Sequence, residues 1–202
     1  TVGPHDVDGH GTHVSGTVVG GNANDAGLQI GVAPNATLMH AKVLGDTGYG
    51  SFANFIDGMQ WAVDNDADVI SMSLGSEGYS SDLIDPVRNA QASGTIVVAA
   101  SGNSGSGTSS SPGNVYDTIA VGAVEVETAY PREGTFGRTD DTVSDTSSGE
   151  RVYSAEWASA PYDWPDSYVV PDVTAPGSVI WSADTNRTTA TCGSISTTDL
   201  TC

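Results

Sequence analysis

Positive charge is what this 202-residue sequence lacks most: six Lys and Arg stand against 25 Asp and Glu, a formal charge of −19, and the one lysine is Lys42. Phosphate recognition draws on Lys and Arg, so the composition argues against a nucleic-acid partner. Long apolar runs are also missing. The longest are short stretches such as Thr95 to Ala100, far below the roughly 18 to 20 residues of a membrane span. Cysteine is scarce: Cys192 and Cys202 lie ten apart in a Ser- and Thr-rich stretch near the C-terminus. They suit a local disulfide in an oxidising compartment, with two free thiols as the alternative, and no nearby His supports a metal site. No signal-peptide pattern opens the chain, so a secreted product would be met in its processed form. There is no internal repeat.

What remains is a foldable chain. Charged residues make up 15% and hydrophobic residues 38%, a balance that favours a packed core over disorder, and the length is ample for one large domain. The acid excess is mostly Asp, with Gly, Ser, Thr and Ala plentiful. That combination suggests adaptation to concentrated salt, where screening over about 3 Å at 1 M quenches self-repulsion; an ordinary acidic secreted protein is the alternative. Asn35-Ala36-Thr37 and Asn186-Arg187-Thr188 fit the glycosylation sequon, a pattern common by chance.

Strand-like and helix-like segments alternate, as in a parallel sheet with helices on its faces. The pattern predicts strands over Ala36 to Leu44, Val69 to Leu74, Thr95 to Ala100 and Thr118 to Val124. Phe52, Phe55, Ile56, Met59 and Val63 predict a helix over Ser51 to Asn65. Leu83 to Ala92 is a second helix, with Pro86 placed in its first turn and Gly94 ending it. Between Glu125 and Val170 the periodicity fails, and acidic residues mix with Tyr153, Trp157, Tyr162, Trp164 and Tyr168. This reads as an acidic, aromatic-containing insertion, either a contact surface or a cover over the body of the domain.

Four stretches concentrate chemistry. In His10-Gly11-Thr12-His13-Val14-Ser15-Gly16-Thr17, two histidines share a helix face at i and i+3, a spacing open to metal binding. The glycines point instead to backbone packed closely against a neighbour, with one imidazole aimed into a cleft. Val97 to Gly105 is a strand ending in a turn that presents Asn103, at the strand end where open α/β sheets place their sites. Val69 to Ser76 runs into a glycine turn in the same way, and Pro171 to Gly177 is the fourth stretch.

Together these resemble the subtilisin-like serine proteases (subtilases), specifically the secreted halophilic archaeal branch. His10 to Thr17 looks like the family's histidine motif, and Gly31-Val32-Ala33-Pro34 like the turn that follows it. Ile70 to Gly75 resembles the strand lining the primary specificity pocket, Ala100 to Asn103 the oxyanion-hole segment, and Asp172 to Gly177 the stretch before the nucleophile. The resemblance implies a three-layer, doubly wound α/β fold with a mainly parallel sheet, one domain over residues 1–202, incomplete at both ends. It implies peptide-bond hydrolysis by a serine nucleophile, with His10 as general base and Asn103 as oxyanion donor. Ser73, Leu74, Gly75, Ser101 and Gly102 would hold an extended peptide, and His13 would be structural. In the family the loop Asn22 to Gln29 often holds calcium, for which Asn22, Asn24 and Asp25 offer oxygens.

The chain departs from the family at both ends. Only nine residues precede His10, and Asp6 and Asp8 are too close to it to serve as the triad aspartate. No Gly-Thr-Ser-Met-Ala nucleophile motif occurs; Cys192-Gly193-Ser194-Ile195-Ser196-Thr197 lies at about the right distance, either as its degenerate remnant or within an inserted disulfide loop. The expectation is an extracellular, high-salt protease acting on protein or peptide that needs flanking segments or a partner chain for activity, so that these 202 residues alone are inactive. A catalytically dead subtilase-fold binding or assembly module is the alternative.

Overall fold

Val97, Ala99 and Ala120 are almost completely buried, and they mark the two strands around which the parallel sheet is built. The computed structural model describes residues 5–23, 28–125, 142–157, 162–177, 180 and 182–183. The chain divides into two compact units, residues 1–58 with 179–202 and residues 59–178.

In the first unit, α1 (His10–Val19) is followed by β1 (Asn22–Ala23) and β2 (Leu28–Gln29), an antiparallel pair with Asn22 opposite Gln29. The Gly31 to Pro34 turn folds back on the C-terminal end of α1. Val32 N donates to Thr17 O at 3.1 Å, Ala33 N to Val18 O at 2.8 Å and Gly31 N to Gly20 O at 2.7 Å. These bonds satisfy carbonyls that a helix end otherwise leaves open. Residues 36–44 form no strand, contrary to the sequence reading. An apolar run becomes a strand only when another backbone pairs with it, and no such pairing occurs among the described residues. Leu38 and Met39 are accordingly 43% and 39% exposed.

Helix α2 (Phe52–Asp64) begins in the first unit and ends in the second. The second unit continues with β3 (Val69–Met72), β4 (Ser76–Glu77), α3 (Ile84–Ala92), β5 (Ile96–Ala100), β6 (Ser110–Ser111), β7 (Ile119–Glu125), β8 (Thr142–Val143), β9 (Glu150–Tyr153), β10 (Ser167–Val170) and β11 (Val173–Pro176). The main sheet has the order β11-β7-β5-β3, all parallel, with β8 antiparallel on β7. The α/β class with a mainly parallel sheet is thus as expected. On α3, Ile84, Val87 and Ala90 form one buried stripe beside Leu83. Each large side chain so buried contributes roughly 1.5–3 kcal/mol. Pro86 is the third helical residue, where its missing N–H would have had no partner anyway. Gly94 N bonds Gln91 O and Thr95 N bonds Ala90 O, the paired closure that stops the helix and feeds β5.

The described part of the 125–170 stretch bonds to the rest of this unit, the Tyr162 hydroxyl to Asp85 and the Tyr168 hydroxyl to Asn114 O. It contains an antiparallel pair, β9 with β10, that the irregular composition concealed. Beside that pair lies an aromatic cluster. Trp157 packs on Tyr168 at 5.2 Å and on Trp164 at 5.5 Å, and Tyr162 stacks on Trp164 at 4.7 Å. The Arg88 guanidinium caps Tyr162 at 4.5 Å while it binds Asp117 at 3.0 Å. Burial pushes the Tyr79 hydroxyl up to about 12 and raises that of Tyr168 further.

Candidate active site

The start of α1 is fixed by carboxylates. Asp6 accepts Gly9 N at 3.0 Å through Oδ1, and through Oδ2 it accepts both Thr12 N and the Thr12 hydroxyl at 2.7 Å. Asp8 accepts His10 N at 3.3 Å. Both acids therefore cap the helix, and negative charge there also complements the helix dipole. The slight burial of Asp6 would raise its pKa. The bonds from Thr12 and Gly9 and the charge of Lys42 outweigh that, and its carboxyl is held below the usual range. This cap, missed when Asp6 was weighed only as a triad member, was legible as an Asp three residues before the glycine that precedes the helix.

His10, the first residue of α1, is exposed, and its ring makes no hydrogen bond among the described residues. His13 is tied into the fold instead. Its Nε2 lies 3.1 Å from Ile180 O, and the Ser182 hydroxyl donates to His13 O at 2.6 Å. A Cβ on Gly16 would fall 2.6 Å from the Ser182 hydroxyl and 2.7 Å from Ala183. The glycine therefore permits the close approach its flanking pattern predicted. Asn22 lies on β1, while Asn24 and Asp25 fall outside the described residues, as do Cys192, Cys202, Ser194 and Ser196. Among the described residues no three His, Cys, Asp or Glu side chains group as a metal site.

In the second unit, β3 and β5 are adjacent and parallel, so their C-terminal ends open on the same side. Ser73, Leu74 and Gly75 continue from β3, and Ser101, Gly102 and Asn103 from β5. These are the two wall segments that the sequence singled out. The turn after β5 is pinned from several directions. Ser101 N donates to Val121 O at 3.0 Å, its hydroxyl to Ser148 O at 2.8 Å, and Ser148 N to Gly102 O at 3.0 Å. Ser104 N donates to the Ser148 hydroxyl at 2.9 Å, which also meets the Thr108 hydroxyl at 2.8 Å. Gly102 has φ +122, and a side chain there would collide with Ser110 and Ser148.

Asn103 is the exception within this turn. It is exposed and makes no hydrogen bond among the described residues, although the backbone on both sides of it is held. An amide donor carried on a fixed turn can meet developing negative charge without prior rearrangement. His10 and Asn103 belong to different units, and each is placed within its own. Ser148, fully buried and bonded to three parts of the turn, went unnoticed in the sequence. It sits in a run of Ser, Thr, Asp and Gly without periodicity, and nothing in that pattern marks it.

A parallel α/β sheet whose strand ends carry a glycine wall and a fixed Asn turn, in a chain that also carries the histidine motif, is that of a subtilisin-like α/β protein, and the chain belongs to the Subtilase family, which it matches over residues 2–202. It is 47% identical over 120 residues to the alkaline protease of Alkalihalobacillus alcalophilus, an overlap covering 59% of this chain and 31% of that protein. It is 46% identical over 120 residues to Subtilisin Savinase of Lederbergia lenta, covering 59% of this chain and 44% of that one. Among solved structures it is similar to sphericase, with a TM-score of 0.70 and 34% identity over 90% of this chain and 56% of the other. The chain thus spans less than half the length of these curated relatives.

Proposed function

We propose that these residues belong to a serine endopeptidase of the subtilisin type that cleaves peptide bonds by acyl transfer. The observation that carries this reading is the fixed 101–104 turn with its unpartnered Asn103 amide, at the end of β5 in a chain of the Subtilase family. In this mechanism His10 takes the proton of a serine hydroxyl as its oxygen bonds to the substrate carbonyl carbon. Asn103 donates to the oxyanion that forms. His10 then delivers the proton to the departing amine, and water releases the acyl group by the same steps in reverse. Ser73 to Gly75 and Ser101 to Gly102 hold the peptide backbone in extended form between them.

The rest of the reading follows from composition and family. The net charge of −19 fits a secreted protein working in concentrated salt, and among the described residues no helix is long and apolar enough to cross a membrane. The β1–β2 pair closes the ends of the loop that would offer oxygens to calcium through Asn22, Asn24 and Asp25. These 202 residues alone are inactive in this reading, for want of the triad aspartate and the nucleophile motif. The test is fluorophosphonate labelling and peptide hydrolysis by the natural protein and by the 202-residue chain, both in molar salt. A labelled serine in the natural protein, an unlabelled short chain and loss of hydrolysis in His10→Ala support the proposal. A natural protein that is neither labelled nor hydrolytic overturns it in favour of a binding module, and a labelled Ser194 or Ser196 in the short chain overturns the inactivity.

A further inference from the structure

We infer that Asn35 carries an N-linked oligosaccharide, taken from a lipid phosphate-linked sugar donor; the inference rests on the secreted reading above and not on the catalytic one. Asn35-Ala36-Thr37 fits the acceptor pattern, which requires Asn, any residue but Pro, and then Ser or Thr. The pattern occurs by chance, and what selects this copy is its place in the fold. The N–H groups of Gly31, Val32 and Ala33 bind the end of α1 at Gly20 O, Thr17 O and Val18 O. From that anchored base a β-turn projects: Ala36 N donates to Ala33 O at 3.0 Å, with Pro34 and Asn35 as the central residues. Residues 32–40 are all exposed, and the chain beyond the turn enters no strand.

The two side chains that the reaction uses are both idle. Among the described residues neither the Asn35 amide nor the Thr37 hydroxyl makes a hydrogen bond. Other asparagines commit theirs to the fold. Asn65 Nδ2 donates to Trp61 O at 2.8 Å, and Asn114 Nδ2 to the Ser109 hydroxyl at 2.8 Å and to Gly78 O at 3.1 Å. Asn103 is as free as Asn35, but Ser104 and Gly105 follow it, so it lies outside the pattern. With no strand or helix to hold them, Asn35 and Thr37 can be drawn out extended, which turns both side chains to one side of the backbone. A transferase can then read the Thr37 hydroxyl while it takes the Asn35 amide. Asn35 Nδ2 bonds to C1 of the first sugar. The C1–O bond to the lipid phosphate breaks, its electron pair leaves on the phosphate oxygen, and one amide proton passes to a base of the transferase. The product adds uncharged, solubilising bulk at an exposed turn and disturbs no bond of the fold.

The test is mass spectrometry of the natural protein recovered from the culture medium of its source, and of variants made in that source. Trypsin cuts after Lys42, and no Lys or Arg precedes it in these residues, so Asn35 is read on the peptide ending at Lys42. That peptide should be heavier than its sequence by whole sugar residues, and fragmentation should place them on Asn35. Asn35→Gln should lose the entire increment. Thr37→Val, which keeps Asn35 and removes only the hydroxyl, should lose it too, while Thr37→Ser should retain it. The map of the natural protein decides alone if a variant is not secreted. An unmodified peptide in protein taken from the medium overturns the inference and leaves secretion standing. Sugar on that peptide that survives Asn35→Gln sits on a hydroxyl and overturns it equally. Protein found only inside the cells overturns the secreted reading, and a bare Asn35 there overturns the inference with it.

Discussion

Around His10 the supporting bonds are local: Asp8 holds the His10 N–H, and Asp6 holds Gly9 and Thr12, three and six residues along the chain. Around Asn103 they are distant, since Ser101 and Ser104 are held by Ser148, 47 and 44 residues away, and by Val121 of the next strand. The start of the histidine helix can form with its own first turn. The Asn103 turn requires β5, β7 and the 142–149 stretch to be in place, so its geometry depends on the folding of a whole unit. The two side chains share exposure and a lack of partners; what separates them is the range over which their supports are gathered.

The sharpest probe of this contrast is Asn103→Ala. Removal of an oxyanion donor costs roughly 10² to 10³ in kcat, a figure that comes from a member of this same family. Because the amide bonds to nothing in the fold, the melting temperature should stay where it is, and a drop of several degrees would show that Asn103 is structural. Next in size is Ser148→Ala, which leaves Ser104 N and the Thr108 hydroxyl without their shared partner. It should cost about 1–3 kcal/mol of stability and lower kcat more than it raises KM, because the turn loosens while the walls remain. Unchanged melting and unchanged kcat together would refute the long-range support.

The smallest effect is expected of Asp6→Ala, a lost cap worth about 0.5–2 kcal/mol. The folded pKa of Asp6 lies below the 3.8 usual for an aspartate. The pH-dependent part of its contribution is therefore present above pH 3.8 and disappears as pH falls through the lower folded value. The gap in melting temperature between the parent and Asp6→Ala should accordingly be full near pH 6 and shrink toward pH 3. A gap that persists in acid would place the contribution elsewhere. A loss of kcat as large as that of Ser148→Ala would end the contrast itself, since a local cap would then matter as much as a distant brace.

The parts of the molecule that were legible in the sequence are those whose physics is local and periodic. The run ending at Ala100 and the run ending at Gly75 announced β5 and β3 because apolar residues stop where glycine begins, and the candidate amide and wall residues follow directly at those ends. Pro86 near its start and Gly94 at its end marked out α3, which closes at that glycine. Residues 36–44 carried the same apolar signal but form no strand, since pairing is a property of two segments and composition reports on one. Ser148 was invisible for a related reason: a serine in a run of small polar residues has no pattern, and its role is set by which backbone passes beside it. The β9–β10 pair escaped because each strand is four residues long, too short for alternation to stand out among acidic neighbours.

The aromatic cluster of residues 59–178 also gives that unit an optical signature of its own. Trp157 and Trp164 stand with ring centres 5.5 Å apart and planes crossed at 70°. Two indole transitions so close and so oriented share their excitation, and the shared state splits into a pair of circular-dichroism bands of opposite sign. The splitting decays with the cube of the separation and vanishes once the rings part. Trp61, 41% exposed at the surface, has no ring partner among the described residues and adds no such couplet. The two bands therefore follow the packing of this unit without a label, and separately from whatever the His10 helix is doing in the same solution.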